Sequence, residues 1–379
     1  MFGQDEIEAV AGVLASGRVN QWTGKLVTEF EADFAQRCQS PHAVAVCNGT
    51  VALELSLRAL GIGPGDEVIV SSRSFIASAS CVSLVGATPV FADVDEFSQA
   101  ISVETISRHV NERTRAIIPV HIAGWPADML GIMELAGRHS LIVIEDCAQA
   151  LGAEINGRPV GSFGHAAAFS FCQDKIITTG GEGGMVLFQD EAAYRRAWSF
   201  KDHGKDFECA RQRAPKTSFR YLHTGIGTNW RMLEMQAAIG LIQLRKLDAW
   251  LAVRTRNAGI WAGFLDRLKC LRIPEPDSRY RHAYYRLYGF LEPNRLKDGV
   301  TRTEIITALH DSDVPANAGT CPEIYREGAY ACFAVEPRSV AHELGERSLA
   351  FLVHPTLSPD TVRRHASLTV EIMQRFERD

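Results

Sequence analysis

The 379-residue sequence has no C-x-x-C spacing, no H-E-x-x-H, no basic run and no apolar stretch long enough to span a bilayer. Each absence removes a class of protein. Without close cysteine pairs, the nine thiols (Cys38, Cys47, Cys81, Cys147, Cys172, Cys209, Cys270, Cys321 and Cys332) read as reduced cysteines of a cytoplasmic protein, not as a disulfide framework. The twelve histidines lack clustered ligand spacing, so a metal centre has little support. A formal net charge of -5 and a pI near 6.2 argue against nucleic acid or an anionic membrane as the main partner. The opening Met1-Phe2-Gly3-Gln4-Asp5-Glu6 has neither a basic n-region nor an apolar h-region. The expectation is therefore a soluble protein that stays in the cytoplasm. Internal repeats and low-complexity segments are also lacking.

What is present is an ordinary globular composition, 46% hydrophobic, sufficient for one large and one smaller domain. Ile7, Val10, Ala11 and Leu14 predict a helix over residues 4–16 ended by Gly17, and Val27, Phe30, Phe34 and Ala35 a second one after a polar loop that includes Trp22 and Lys25. From Ala43 onward apolar strands alternate with helices: strands at Ala43 to Cys47, Glu67 to Val70, Val90 to Asp93, Ala116 to Val120 and Leu141 to Ile144. Repeated β-α-β order with near-continuous apolar strands predicts an α/β fold, a mainly parallel sheet covered on both faces. Glu234 to Leu247 reads as a helix with small residues for close packing, and a further long helix runs to about Leu268. Pro274-Glu275-Pro276 is the clearest break. The expected organisation is a large domain over residues 1–250, including the N-terminal helical segment, and a smaller α+β domain over 251–379.

Four local features carry chemistry. Asn48-Gly49-Thr50 joins a strand to a helix N-terminus, where free backbone amides and the helix dipole suit a phosphate. Phe75 follows the next strand and can cover a planar ligand. The strand ending Glu145-Asp146 delivers carboxylates to the edge where ligands gather in such sheets, and alternation sends the two to opposite faces. Phe169-Ser170-Phe171-Cys172-Gln173-Asp174-Lys175 breaks an apolar run, presents one lysine and enters the glycine cluster Gly180-Gly181-Glu182-Gly183-Gly184. Each alone has an ordinary structural reading: a βα loop, a packed aromatic, a capping network, a solvated lysine. In this order they are the parts a pyridoxal phosphate site needs.

With these residues in place, the sequence resembles the DegT-type (DegT/DnrJ/EryC/StrS) sugar aminotransferases of fold type I. Asn48-Gly49-Thr50-Val51-Ala52-Leu53 is similar to that family's S-G-T-x-A-L, with Asn for the usual Ser, and Ser74-Phe75-Ile76-Ala77-Ser78 to T-F-x-A-T. Glu145 to Ala153 matches E-D-x-A-Q-A-x-G-A, and Gly227-Thr228-Asn229-Trp230-Arg231-Met232 resembles G-x-N-x-R-M. The resemblance implies a large domain with a mainly parallel, seven-stranded-type sheet and a smaller C-terminal α+β domain. It implies pyridoxal 5'-phosphate held by Gly49, Thr50 and Ser170, stacked by Phe75, met by Asp146 at the ring nitrogen and Gln149 at the ring hydroxyl, and bonded to Lys175. Asn229 would reach the cofactor phosphate of a neighbouring subunit, so a homodimer with shared sites is implied. Lys175 and Asp146 would be catalytic in moving an amino group from an amino acid, L-glutamate above all, to a nucleotide-linked 3- or 4-ketosugar. Trp22, Lys25, His282 and His354 are candidates for the sugar or nucleotide side. A ketosugar dehydratase or lyase and a non-catalytic, cofactor- or nucleotide-sugar-binding regulatory protein remain as rivals.

Overall fold

Small and branched apolar residues dominate the strands, and in the computed structural model, which describes residues 2–212, 219–333 and 339–378, they build a central sheet buried on both faces. Its strands are β1 (His42–Val46), β2 (Glu67–Ser71), β3 (Thr88–Ala92), β4 (Thr114–Ile118), β5 (Ile142–Asp146), and, after a short hairpin of β6 (Glu154–Ile155) and β7 (Arg158–Pro159), β8 (Ala166–Ser170) and β9 (Gly184–Phe188). The order is β1-β9-β8-β5-β4-β2-β3. Only β9 runs against its neighbours. The other six therefore discharge their carboxyl ends at one edge, which is where a ligand belongs in this kind of sheet.

The helices α1 (Gln4–Ser16), α2 (Leu26–Arg37), α3 (Gly49–Ala59), α4 (Ala77–Leu84), α5 (Val103–Ser107), α6 (Met129–His139), α7 (Glu191–Lys201) and the short α8 (Phe207–Arg211) precede a 32-residue helix, α9 (Glu234–Leu265). The sequence predicted two helices here; α9 runs unbroken across position 250. Gly240 is what lets α2 lie against it, since a Cβ there would come within 2.7 Å of the Phe30 ring. The buried Glu234 carboxylate accepts from the amides of Lys25, Leu26 and Val27 at 2.9, 2.8 and 3.1 Å, capping the start of α2.

Beyond α9, β10 (Leu271–Arg272), β12 (Leu287–Leu291), β13 (Ala316–Asn317) and β14 (Ser348–Phe351) form an antiparallel sheet, while β11 (Tyr280–Arg281) pairs instead with β6. Helices α10 (Arg302–His310), α11 (Ser339–Arg347) and α12 (Pro359–Phe376) complete this part, whose core holds Trp261, Leu265, Phe351 and Met373. Ala283 donates to the Gly124 carbonyl at 2.9 Å. With the β11–β6 pair, that bond brings residues 283–288 to the carboxyl edge of the large sheet. The irregular stretch expected from Lys201 to Arg220 holds α8, and its residues 213–218 lie outside the described residues.

Candidate active site

At that edge lies a cavity of about 600 Å³. Asn48 opens α3: its side chain accepts from the Val51 amide at 3.0 Å, leaving the amides of Gly49 and Thr50, both in the cavity wall, without intrahelical partners. The helix terminus presses on the last residue of β8. A Cβ at Gly49 would stand 2.6 Å from Ser170 Cβ, and one at Gly184 only 2.5 Å from the Asn48 carbonyl oxygen. Glycine at these positions is what allows the close approach.

Asp146 ends β5 and is 4% exposed. Its Oδ2 accepts from Ser78 Oγ at 2.7 Å and its Oδ1 from the Ala148 amide at 3.1 Å. Burial raises the carboxyl above the ordinary aspartate range, and the bonds from Ser78 and Ala148 together with Lys175 and His121 pull the other way. No cation pairs with it among the described residues, so a buried carboxylate faces the cavity in want of positive charge. Gln149 spends Oε1 on the Ala123 amide at 2.7 Å and lines the cavity beside it. Phe75, 63% exposed, also lines the cavity.

Lys175 enters from the loop after β8, with its side chain 18% exposed. Its Nζ is 3.8 Å from Asp174 Oδ1 and 4.9 Å from the centre of the Tyr285 ring. Arg286, Tyr288, Asn317 and Thr320 close the cavity from the C-terminal part. The structure thus brings Gly49, Thr50, Phe75, Asp146, Gln149, Ser170 and Lys175 to the wall of one cavity. It keeps the other candidates apart. Trp22 donates from Nε1 to Asp202 Oδ2 at 2.7 Å, and Lys25 pairs with Glu29 at 2.8 Å on the surface. Asn229 is bridged to Asp202 by backbone, away from the cavity of its own chain. His282 stacks on Tyr284 at 4.1 Å, and His354 meets Thr356 Oγ1 at 2.7 Å. Burial pushes His282 down to about 3 and His354 to about 4, so both rings are neutral near pH 7.

Glu145, on the opposite face of β5, belongs to another network. Its oxygens take the amides of Gly161, Phe163 and Gly164 at 2.8, 2.8 and 2.7 Å and His121 Nε2 at 3.1 Å. His121 Nδ1 in turn accepts from the Ala127 amide at 3.0 Å. Cys147 lies within 4.8 Å of these atoms, a spacing that would suit a metal. Every lone pair of the His121–Glu145 pair is already engaged, however, and burial pushes the Cys147 thiol well up, disfavouring the thiolate a metal needs. The cluster is a structural brace.

The family profile for DegT/DnrJ/EryC1/StrS aminotransferases matches residues 1–368. The chain belongs to this family. It is 39% identical over 338 residues to UDP-N-acetyl-3-dehydro-alpha-D-glucosamine 3-aminotransferase of Acidithiobacillus ferrooxidans, covering 89% of this chain and 86% of that one. To GDP-perosamine synthase of Caulobacter vibrioides it is 38% identical over 345 residues, covering 90% and 88%. The crystal structure of an aminotransferase from Psychrobacter cryohalolentis superposes with a TM-score of 0.97 at 45% identity, covering 99% of this chain and 98% of that one.

A DegT-family aminotransferase depends on pyridoxal 5'-phosphate, and the fold is that of the fold type I transferases. The residues present fit the group. The glycine-tightened cradle at the start of α3, with Ser170 opposite, offers donors to a phosphate. The unpaired Asp146 carboxylate complements a protonated ring nitrogen, and Lys175 supplies an amine. Reading the sequence missed several wall residues of this site. Ser78 lies three places after Phe75, a signal that was available. Arg286, Asn317 and Thr320 carried none. Asp174 was in view, in the lysine stretch, without a role.

Proposed function

We propose that this aminotransferase moves the amino group of an amino acid, with L-glutamate as donor, onto C3 or C4 of a nucleotide-linked ketosugar. One observation carries the reading: Lys175 and the buried, cation-free Asp146 open into the same cavity, with an anion cradle beside them. Gly49, Thr50 and Ser170 would hold the cofactor phosphate, Phe75 would cover its ring, and Gln149 would meet the ring oxygen. The cofactor, when bound, supplies a ring that accepts electron density from the carbon bearing the amine. Asp146 keeps positive charge on the ring nitrogen. Lys175 Nζ takes up the proton leaving the donor α-carbon and, in the second half-reaction, delivers a proton to the sugar carbon that becomes the amine-bearing one. Arg286, which lines the cavity and makes no ion pair among the described residues, receives the donor carboxylate.

The site is read as shared between two copies of the chain. Asn229 lies outside its own cavity, and just before it Phe219, Tyr221 and Ile226 are 81, 92 and 93% exposed, an apolar surface that a second copy would cover. Trp22 and Lys25 would meet the nucleotide sugar from the same side, whereas His282 and His354 act by packing. Residues 1–250 and 251–379 are read as the large and small domains, with α9 as their common strut. The nine free thiols favour a reducing, cytoplasmic setting, and no described helix is long and apolar enough to cross a membrane.

No observation favours dehydration of the sugar or a purely regulatory role. The test is direct: loaded enzyme is mixed with L-glutamate, then with UDP-, GDP- or dTDP-linked 3- and 4-ketosugars, following the cofactor spectrum and the aminosugar by mass spectrometry. Failure of every amino donor to change the spectrum would sink the reading.

A further inference from the structure

One contact of the lysine loop has no part in the roles above. Asp174 and Tyr285 stand 111 positions apart, yet the Tyr285 hydroxyl donates to Asp174 Oδ2. Lys175 Nζ then has the Asp174 carboxylate at 3.8 Å and the face of the Tyr285 ring at 4.9 Å. Asp174 is 50% exposed, and a carboxylate with that freedom would by itself hold a lysine weakly. The bond from Tyr285 takes the freedom away.

We propose that Asp174, tethered by Tyr285, is a positioning residue for Lys175: the pair receives the amine on the Tyr285 side of the cavity when it leaves the cofactor and stabilises positive charge on Nζ. The inference rests on Lys175 as the cofactor-bearing lysine. The other charged groups around Nζ do not substitute for Asp174. Asp146, from β5, is already engaged by Ser78 and Ala148. Arg286, its guanidinium carbon 5.1 Å from the Tyr285 ring centre, opposes positive charge, and Cys172 and Glu182, which also line the cavity, make no ion pair with Lys175 among the described residues. Burial would raise the Asp174 carboxyl, but Lys175, the Tyr285 hydroxyl and Arg286 outweigh it and hold the group ionised, below the ordinary aspartate range. Burial and the Asp174 bond push the Tyr285 phenol up, so it remains a donor.

The test reads Nζ without any substrate, from the pH midpoint of the visible band of the cofactor-loaded protein. Asp174→Asn should lower that midpoint by on the order of one pH unit, because a carboxylate beside a cation has been removed. Tyr285→Phe keeps the ring and frees the carboxylate, so it should shift the midpoint the same way by less. The double variant should match Asp174→Asn alone, and Asp174→Glu should recover part of the shift. In single turnovers with glutamate, return of Lys175 to the cofactor should slow about tenfold in Asp174→Asn while glutamate affinity stays nearly constant. An unmoved midpoint in Asp174→Asn, or effects of the two single variants that simply add, overturns the proposal. Should Asp174→Asn fail to load cofactor, an unmoved or raised midpoint in Tyr285→Phe overturns it as well. A visible band that survives Lys175→Ala would refute instead the assignment of the lysine, and the two failures are thereby distinguishable.

Discussion

Replacing Gly49 by alanine sets two effects of known size against each other. Alanine favours a helix over glycine by up to about 1 kcal/mol, and Gly49 is the first residue of α3. Against that gain, the new Cβ would stand 2.6 Å from Ser170 Cβ, 3.0 Å from Ser170 Oγ and 3.2 Å from Ser170 Cα. Ser170 is fixed in the β8 ladder opposite Gly184 and cannot swing aside, so the helix terminus has to retreat. Overpacking of this kind costs about 1–3 kcal/mol. Retreat also withdraws the Gly49 and Thr50 amides from an anion, and a hydrogen bond to a charged group contributes about 1.5–3 kcal/mol. Loss of roughly one such bond predicts a 10- to 100-fold weaker grip on the cofactor phosphate, with only a small change in the stability of the cofactor-free protein because propensity offsets part of the clash.

Titration of cofactor-free protein with pyridoxal phosphate, and with pyridoxal as the control lacking a phosphate, separates the terms. The phosphate ester should lose the full factor and pyridoxal should stay within about twofold. Adding Ser170→Gly removes the contacts at 2.6 and 3.0 Å and leaves the one at 3.2 Å, so this second change should harm binding less in the Gly49→Ala background than in the parent. Equal losses for pyridoxal and its phosphate, or no loss at all, would refute the reasoning.

Asp146→Asn should slow transamination by roughly 10²- to 10³-fold. In cofactor-free protein it should stabilise the fold near neutral pH. The buried carboxyl has its folded-state pKa raised, so wild-type stability falls as pH climbs from the ordinary aspartate value through the raised one; denaturant midpoints of the two proteins should converge below about pH 3.9. Glu145→Gln turns an amide NH2 toward donors in either orientation, the Phe163 and Gly164 amides on one side or the Gly161 amide and His121 on the other, and should cost about 3–5 kcal/mol in urea unfolding, with chelators without effect on either protein. Arg286→Gln should slow the glutamate half-reaction about 10²-fold and the ketosugar half-reaction much less, in stopped-flow traces of the cofactor spectrum. Mixing inactive Lys175→Ala and Asn229→Ala proteins under subunit exchange should restore up to about a quarter of wild-type activity, since half the dimers then carry one intact shared site; no recovery despite exchange would place Asn229 in its own subunit's site.

The sequence made legible what depends on short-range rules. Alternation along β5 put Glu145 and Asp146 on opposite faces, and they serve a backbone brace and the cavity respectively. The turn at Asn48-Gly49-Thr50 is a strand–helix junction with Asn48 as cap. Helix α9 was broken in two because no single apolar stripe runs its length: its first half packs on α1 and α2, its second on α12, and the buried face changes with the partner. Trp22 sits in a polar loop, and the partner of its N–H is Asp202, 180 positions away. Nothing local announces such a pairing, and the same holds for Asp174 with Tyr285. The difference has a functional side. Every feature of the cofactor half of the cavity comes from the carboxyl end of a parallel strand in one sheet or from the segment that follows it, so β-α order alone delivers it to one edge. The half that faces the substrate is built from Tyr285, Arg286, Asn317 and Thr320, carried there by long-range antiparallel pairing, and from whatever a second copy adds. Sugar choice is therefore written where local signals are weakest, and substitutions at Asn317 and Thr320 should change which ketosugar is accepted while leaving cofactor binding to Gly49, Asp146 and Ser170.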